Sequence, residues 1–233
     1  MSSKVLSQTA NKIFPIIPRL ENGDRLTQKE FHRRYEAMPK NVKAELIKGV
    51  VYMASPVRVK NHGEPHARMM GFLANYQMLT NGIGLLDNTT FIVNEFYEPQ
   101  PDCVLRIEEE FGGKSWINED DYLEGSPELI VEIAASTASY DLHDKLEIYE
   151  SKGIREYIVW RVLDKQIDWF SLENGKYQKI EPNKQGIIES KTFIGLRLNV
   201  DAILNNDLRK VLDDLQKGLS SKKYKEFSIQ LAK

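Results

Sequence analysis

PELIVEIAASTASYDLHDKLEIYESKGIREYIVW, Pro127–Trp160, is the stretch on which the reading of this chain turns. Leu129, Ile130 and Val131, continued by Ile133–Ala135, have the unbroken apolar character of a strand buried on both faces. The segment from Tyr140 reads as a helix that Gly153 caps at its C-terminus, and REYIVWRV after it reads as a second buried strand. One residue is out of place. Glu132 sits in the middle of the first strand, where a carboxylate is costly unless it is paired, protonated or bound to a metal.

Working outward, two further acids border apolar strands. Asp102 follows a proline at the start of PDCVLRI, and Glu45 lies in AELIKGVVYMAS, which reads as a hairpin turning at Gly49. Hard divalent cations take oxygen ligands, and magnesium is commonly held by one or two carboxylates with waters and phosphate. Asp102 and Glu132, thirty residues apart on apolar strands, form the stronger pattern. Each acid also has a plainer reading: Glu45 as an exposed hairpin residue, Asp102 as a turn start after proline, Glu132 as a salt-bridge partner.

The remaining elements complete the order. Thr27 with Glu30 has the spacing of a capping box, predicting a helix to about Ala37 that Pro39 stops. Ala67, Met70, Leu73, Ala74 and Met78 predict a helix from His62 or Pro65 to Leu79. GLLDNTTFIVN reads as a strand, and the polar run EEEFGGKSWINEDDYLEGSP as a surface loop. QIDWFSL and KYQKIE flank a turn at Asn174–Gly175, IIESKTF is the last strand, and a helix over about 206–219 precedes a lysine-rich tail. The expected organisation is an N-terminal arm (1–25), one α/β domain with a mixed sheet (26–219) and a basic C-terminal tail (220–233).

Composition narrows the function. The chain has 233 residues, 41% hydrophobic and 28% charged, with no apolar run long enough for a membrane span or a signal peptide, so a cytoplasmic protein is expected. Cys103 is the single cysteine, which excludes an internal disulfide and a cysteine-based zinc site. His32, His62, His66 and His143 have no HExxH-like spacing. With a formal net charge of -2, any contact with nucleic acid has to be a local patch. There is no helix-turn-helix or zinc-finger signature to supply sequence specificity.

The proline–aspartate strand start, the apolar strand with a glutamate and a downstream lysine resemble the PD-(D/E)XK nuclease pattern. More specifically, AELIKGVVYMAS, QPDCVLRI and the stretch from Pro127 to Trp160 are similar to the Uma-type (Uma-two) restriction endonuclease family. The resemblance covers about Leu26 to Leu204. It implies a restriction-endonuclease-like core, a central mixed β-sheet flanked by helices, and magnesium- or manganese-dependent hydrolysis of DNA phosphodiesters. It makes Asp102, Glu132, Lys145 and Glu45 the catalytic candidates. Asp102, Glu132 and the Ile133 carbonyl become the metal ligands. His66, Ser136 and Asp141 are candidate substrate contacts.

One departure stands against the pattern. The superfamily lysine should fall two residues after Glu132, where this chain has Ala134. Lys145, with Asp141 at i-4 and Tyr149 at i+4, is the candidate replacement; its alternative is a helix-supporting pair with Asp141. His66 has the alternative of a capping or surface histidine, Ser136 and Thr137 that of a turn, and Tyr149 and Tyr157 read as core. DNA is the expected partner and a homodimer is left open. The competing readings are a nuclease-fold module that binds nucleic acid or protein without turnover, a purely structural protein, and a nuclease acting on RNA or a repair intermediate.

Overall fold

The computed structural model describes residues 17–53, 57–135 and 138–231. Helix α1 (Gln28–Glu36) leads into a hairpin of β1 (Ala44–Ile47) and β2 (Val50–Met53). Its turn places Lys48 and Gly49 both at positive φ, 52° and 73°, the conformation that two-residue hairpin turns require. Thr27 stands at the N-cap of α1 but makes no side-chain cap. The capping box does not form because Glu30 is taken by Arg33 and Arg34, at 2.8 and 2.7 Å.

A π-helical turn, Val59–Gly63, opens directly into α2 (Glu64–Met78). Strands β3 (Ile83–Asp87) and β4 (Cys103–Ile107) follow, then β5 (Ser115–Ile117), β6 (Leu123–Gly125) and β7 (Leu129–Ala134). The chain continues through α3 (Ala138–Leu142), α4 (Asp144–Lys152), β8 (Glu156–Arg161), β9 (Gln166–Glu173) and β10 (Lys176–Lys179). It closes with β11 (Ile187–Glu189), β12 (Arg197–Asn199), α5 (Val200–Leu204), α6 (Leu208–Leu219) and α7 (Lys222–Leu231).

The central sheet has the order β10-β9-β8-β7-β4-β3. Only β7 and β8 run parallel; the other neighbours are antiparallel, so the sheet is mixed. That one parallel pair demands a crossover, which α3 and α4 supply. Alternation along β7 sorts the core. Leu129, Val131 and Ile133 join the larger apolar cluster with Met69, Phe72 and Leu73 of α2 and Val211 and Leu215 of α6. Ile130 and Ala134 join the cluster on the opposite face with Ile148 and Tyr149 of α4. Every residue of β7 is buried. By the same alternation Glu132 faces α4.

Several expectations are revised. The strand expected over GLLDNTTFIVN ends at Asp87, and Phe91 and Asn94 make only isolated bridges beyond it. The expected surface loop before β7 contains the β5–β6 hairpin, and the single helix expected after β7 is broken at His143. A short β12 pairs with β11. Where a basic tail is expected, α7 buries Tyr224 and Leu231 against the larger core cluster. Gly153 caps α4 in the left-handed conformation, as expected.

Candidate active site

The register of the central strands carries the site. Cys103 pairs with Val131 at the end of the β4–β7 ladder, and Asp102, the residue before it, lies at Ile133 of β7. The Asp102 carboxylate closes this end: Oδ2 accepts the Ile133 N–H at 2.6 Å. Asp102 is almost fully buried, as are Glu132 and Lys145.

From the α4 face, Lys145 Nζ reaches back to Glu132 Oε1 at 3.0 Å. Tyr149, one turn on, donates its hydroxyl to the same oxygen at 3.2 Å. The ammonium also lies 2.9 Å from Glu45 Oε1 and 3.5 Å from Asp141 Oδ1. Glu45 is delivered by the hairpin, whose turn residue Lys48 ties down to Asp144 and Glu147 of α4, each at 2.9 Å. Glu45 Oε1 further accepts the Gln100 N–H at 2.7 Å, fixing the segment that leads into Asp102.

Burial is the largest influence on Glu132 and pushes its carboxyl well above the ordinary range. Lys145 opposes that effect, while Asp141, Asp102 and Glu45 add to it. For Lys145, burial works against the charged form, but Glu132, Glu45 and Asp141 outweigh it and hold the ammonium well above its usual pKa. One cation thus serves three carboxylates, and a further cation beside Glu132 would favour its charged form.

The opposite face supplies histidines. His62, on the π-helical turn, places Nε2 3.2 Å from Asp102 Oδ1, and its Nδ1 is hydrogen-bonded to the Ile133 carbonyl at 3.2 Å. His66 lies 5.6 Å away in a near-parallel stack. Its Nε2 is 3.0 Å from Asp87 Oδ1 and 3.1 Å from the Asp102 carbonyl, so it ties α2 to the ends of β3 and β4.

The sequence candidates therefore fall into two linked groups. Glu45, Glu132 and Asp141 meet on Lys145; Asp102 meets the Ile133 backbone and His62. Among the described residues, no three His, Cys, Asp or Glu side chains are arranged to hold one metal ion. The donor chemistry nevertheless fits a hard cation. Asp102 Oδ1 and the Ile133 carbonyl face one imidazole, and magnesium needs only one or two carboxylates with waters and phosphate; Glu132 is held from the α4 side by Lys145 and Tyr149. Ser136 lies outside the described residues. Sequence reasoning missed His62 and the Tyr149 hydroxyl. The i+4 spacing from Lys145 signalled where Tyr149 lies but not that its hydroxyl binds Glu132, and nothing in the local pattern marked His62.

No curated protein matches the chain. Among solved structures, it is similar to a putative nuclease belonging to DUF820 from Anabaena variabilis, with a TM-score of 0.57 and 9% identity. That similarity covers 74% of this chain and 96% of the other, and at such low identity it speaks to the fold alone: a mixed sheet with flanking helices. The sequence model of the Uma2 family, described as a putative restriction endonuclease, matches residues 29–201. That match takes in the hairpin, the proline–aspartate strand and the whole stretch from Pro127 to Trp160, and the chain belongs to the Uma2 family.

Proposed function

We propose that the protein is a divalent-metal-dependent endonuclease that hydrolyses DNA phosphodiester bonds. The observation that carries this reading is the contact between Lys145 Nζ and Glu132 Oε1 at 3.0 Å. It restores, from a helix, the acid–lysine pairing that Ala134 breaks in the strand. The family description supports a nuclease, and the buried carboxylates at the sheet end support a metal-dependent one.

In this reading Asp102, Glu132 and the Ile133 carbonyl hold magnesium or manganese. Such an ion, when bound, polarises the phosphate and lowers the pKa of a bound water. The chain's own residues do the rest. Asp102 Oδ2 locks the Ile133 N–H and so fixes the direction of the Ile133 carbonyl. Lys145 and Tyr149 together hold Glu132 Oε1, leaving the carboxylate one orientation. Lys145 brings positive charge to the side of the site where negative charge builds during hydrolysis. Glu45 keeps that ammonium in place. His66 acts through the Asp102 backbone, as a positioning residue.

The test is cleavage of supercoiled and single-stranded DNA with magnesium or manganese. Asp102→Ala and Glu132→Ala should each lower the rate by about a hundredfold or more. Activity surviving both substitutions would sink the site. A second reading has its own support: three carboxylates already surround Lys145, as a structural ion pair in a non-cleaving binding module would have them. Lys145→Ala separates the two. A folded variant that no longer cuts supports the nuclease; a folded variant that cuts at the wild-type rate assigns the lysine to structure alone.

A further inference from the structure

His62 plays no part in the chemistry above, yet its ring lies against the two oxygens that reading needs most. Nε2 is 3.2 Å from Asp102 Oδ1 and Nδ1 is 3.2 Å from the Ile133 carbonyl. The two oxygens come from residues thirty-one apart in sequence, one just before β4 and one in β7, so their meeting on one side chain is a product of the fold and not of local sequence. The ring is only half-buried, with 24% of the side chain exposed, and it stacks on His66. Its backbone is unusual as well. His62 and Gly63 both donate N–H groups to the Arg58 carbonyl, at 3.0 and 3.2 Å, within a five-residue π-helical turn. Such turns are rare and occur frequently at functional sites.

We infer that His62 competes with a divalent cation for Asp102 Oδ1 and the Ile133 carbonyl, and that metal loading requires the imidazole to leave them. The inference rests on the metal-dependent reading of the site. Its physical basis is ligand preference. Magnesium and manganese favour carboxylate, carbonyl and water oxygens, whereas imidazole suits the softer zinc, copper and nickel. A hard cation taking both oxygens displaces the ring's two contacts without gaining a ligand in return. His62 then acts as a brake on metal occupancy, placed on the one turn of the α2 segment whose backbone is not α-helical.

The experiment is calorimetric titration of manganese and magnesium into the wild-type protein, His62→Ala and Asp102→Asn at one fixed pH. His62→Ala should bind either ion more tightly, by about three- to tenfold, the range that the net worth of a lost hydrogen bond sets. Asp102→Asn should bind neither. Unchanged or weaker binding by His62→Ala overturns the competition, because the ring is then a bystander or a ligand, and it leaves the metal site intact. If neither the wild type nor His62→Ala binds an ion, the metal reading itself fails and this inference with it. Should His62→Ala not fold, the wild-type ring answers the question by NMR. Adding magnesium should move the His62 nitrogen resonances toward those of an unbonded imidazole, and a ring that does not respond contradicts the proposal.

Discussion

At the scale of single residues, the acids that interrupt apolar strands were the legible part of the site. Glu132 stood out because its neighbours leave no solvated face, and it is buried and paired with Lys145. What the sequence could not show is which groups come from the other face of the sheet, and so His62 went unread. The same limit applies to His32. Its Nδ1 lies 2.8 Å from Oε1 of the fully buried Glu98, which also accepts from Gln28 at 2.8 Å, and the pair anchors α1 to the loop before β4. The hydrogen bond to Glu98 raises the His32 pKa, against the opposing pull of partial burial. A histidine whose folded pKa is raised contributes stability fully below its unfolded value near ~6.5, and that contribution fades as pH rises through the folded pKa. His32→Ala should therefore cost about 1–2 kcal/mol at pH 5.5 and less at pH 8.5 in urea melts. An equal loss at both pH values would mean that the ion pair contributes nothing beyond packing.

At the scale of elements, long apolar runs were readable and short ones were not. β7, β8 and α2 announced themselves by buried runs or helical spacing. The three-residue strands β5 and β6 did not, since Trp116 and Ile117 are exposed and the surrounding residues are polar. α7 was legible in principle: Tyr224, Phe227 and Leu231 fall at i, i+3 and i+7 and all pack on the larger core cluster. Its lysines hid the pattern. Docking of the C-terminal helices depends on a close approach that helix propensity alone would misjudge. A Cβ on Gly218 of α6 would lie 2.1 Å from the Gly195 carbonyl oxygen and 2.8 Å from Arg197 Cδ. On an exposed helix, replacing glycine by alanine gains up to about 1 kcal/mol. Here overpacking against backbone reverses the sign, and Gly218→Ala should destabilise the protein by about 1–3 kcal/mol with a lowered melting temperature. A melting temperature at or above wild type would show that the two segments separate freely.

At the scale of the whole molecule, fold class was legible and topology was not. Element order and the stretch from Pro127 to Trp160 pointed to a mixed sheet flanked by helices, but the strand order β10-β9-β8-β7-β4-β3 depends on pairings between distant segments. That order sets β4 beside β7, with Asp102 bonded to the Ile133 N–H, and the crossover through α3 and α4 brings Lys145 to Glu132 on the same strand. The proposed site therefore rests on a juxtaposition that only the assembled sheet creates. Among the described residues no helix is long and apolar enough to cross a membrane, and with a net charge of -2 the proposed contact with DNA would have to be a local patch. The most direct measurement is anomalous scattering from manganese in crystals soaked with the ion. The account predicts a peak bonded to the Asp102 carboxylate and the Ile133 carbonyl, with Glu132 beside it and the His62 ring turned away. A peak elsewhere, or none at saturating manganese, would contradict it.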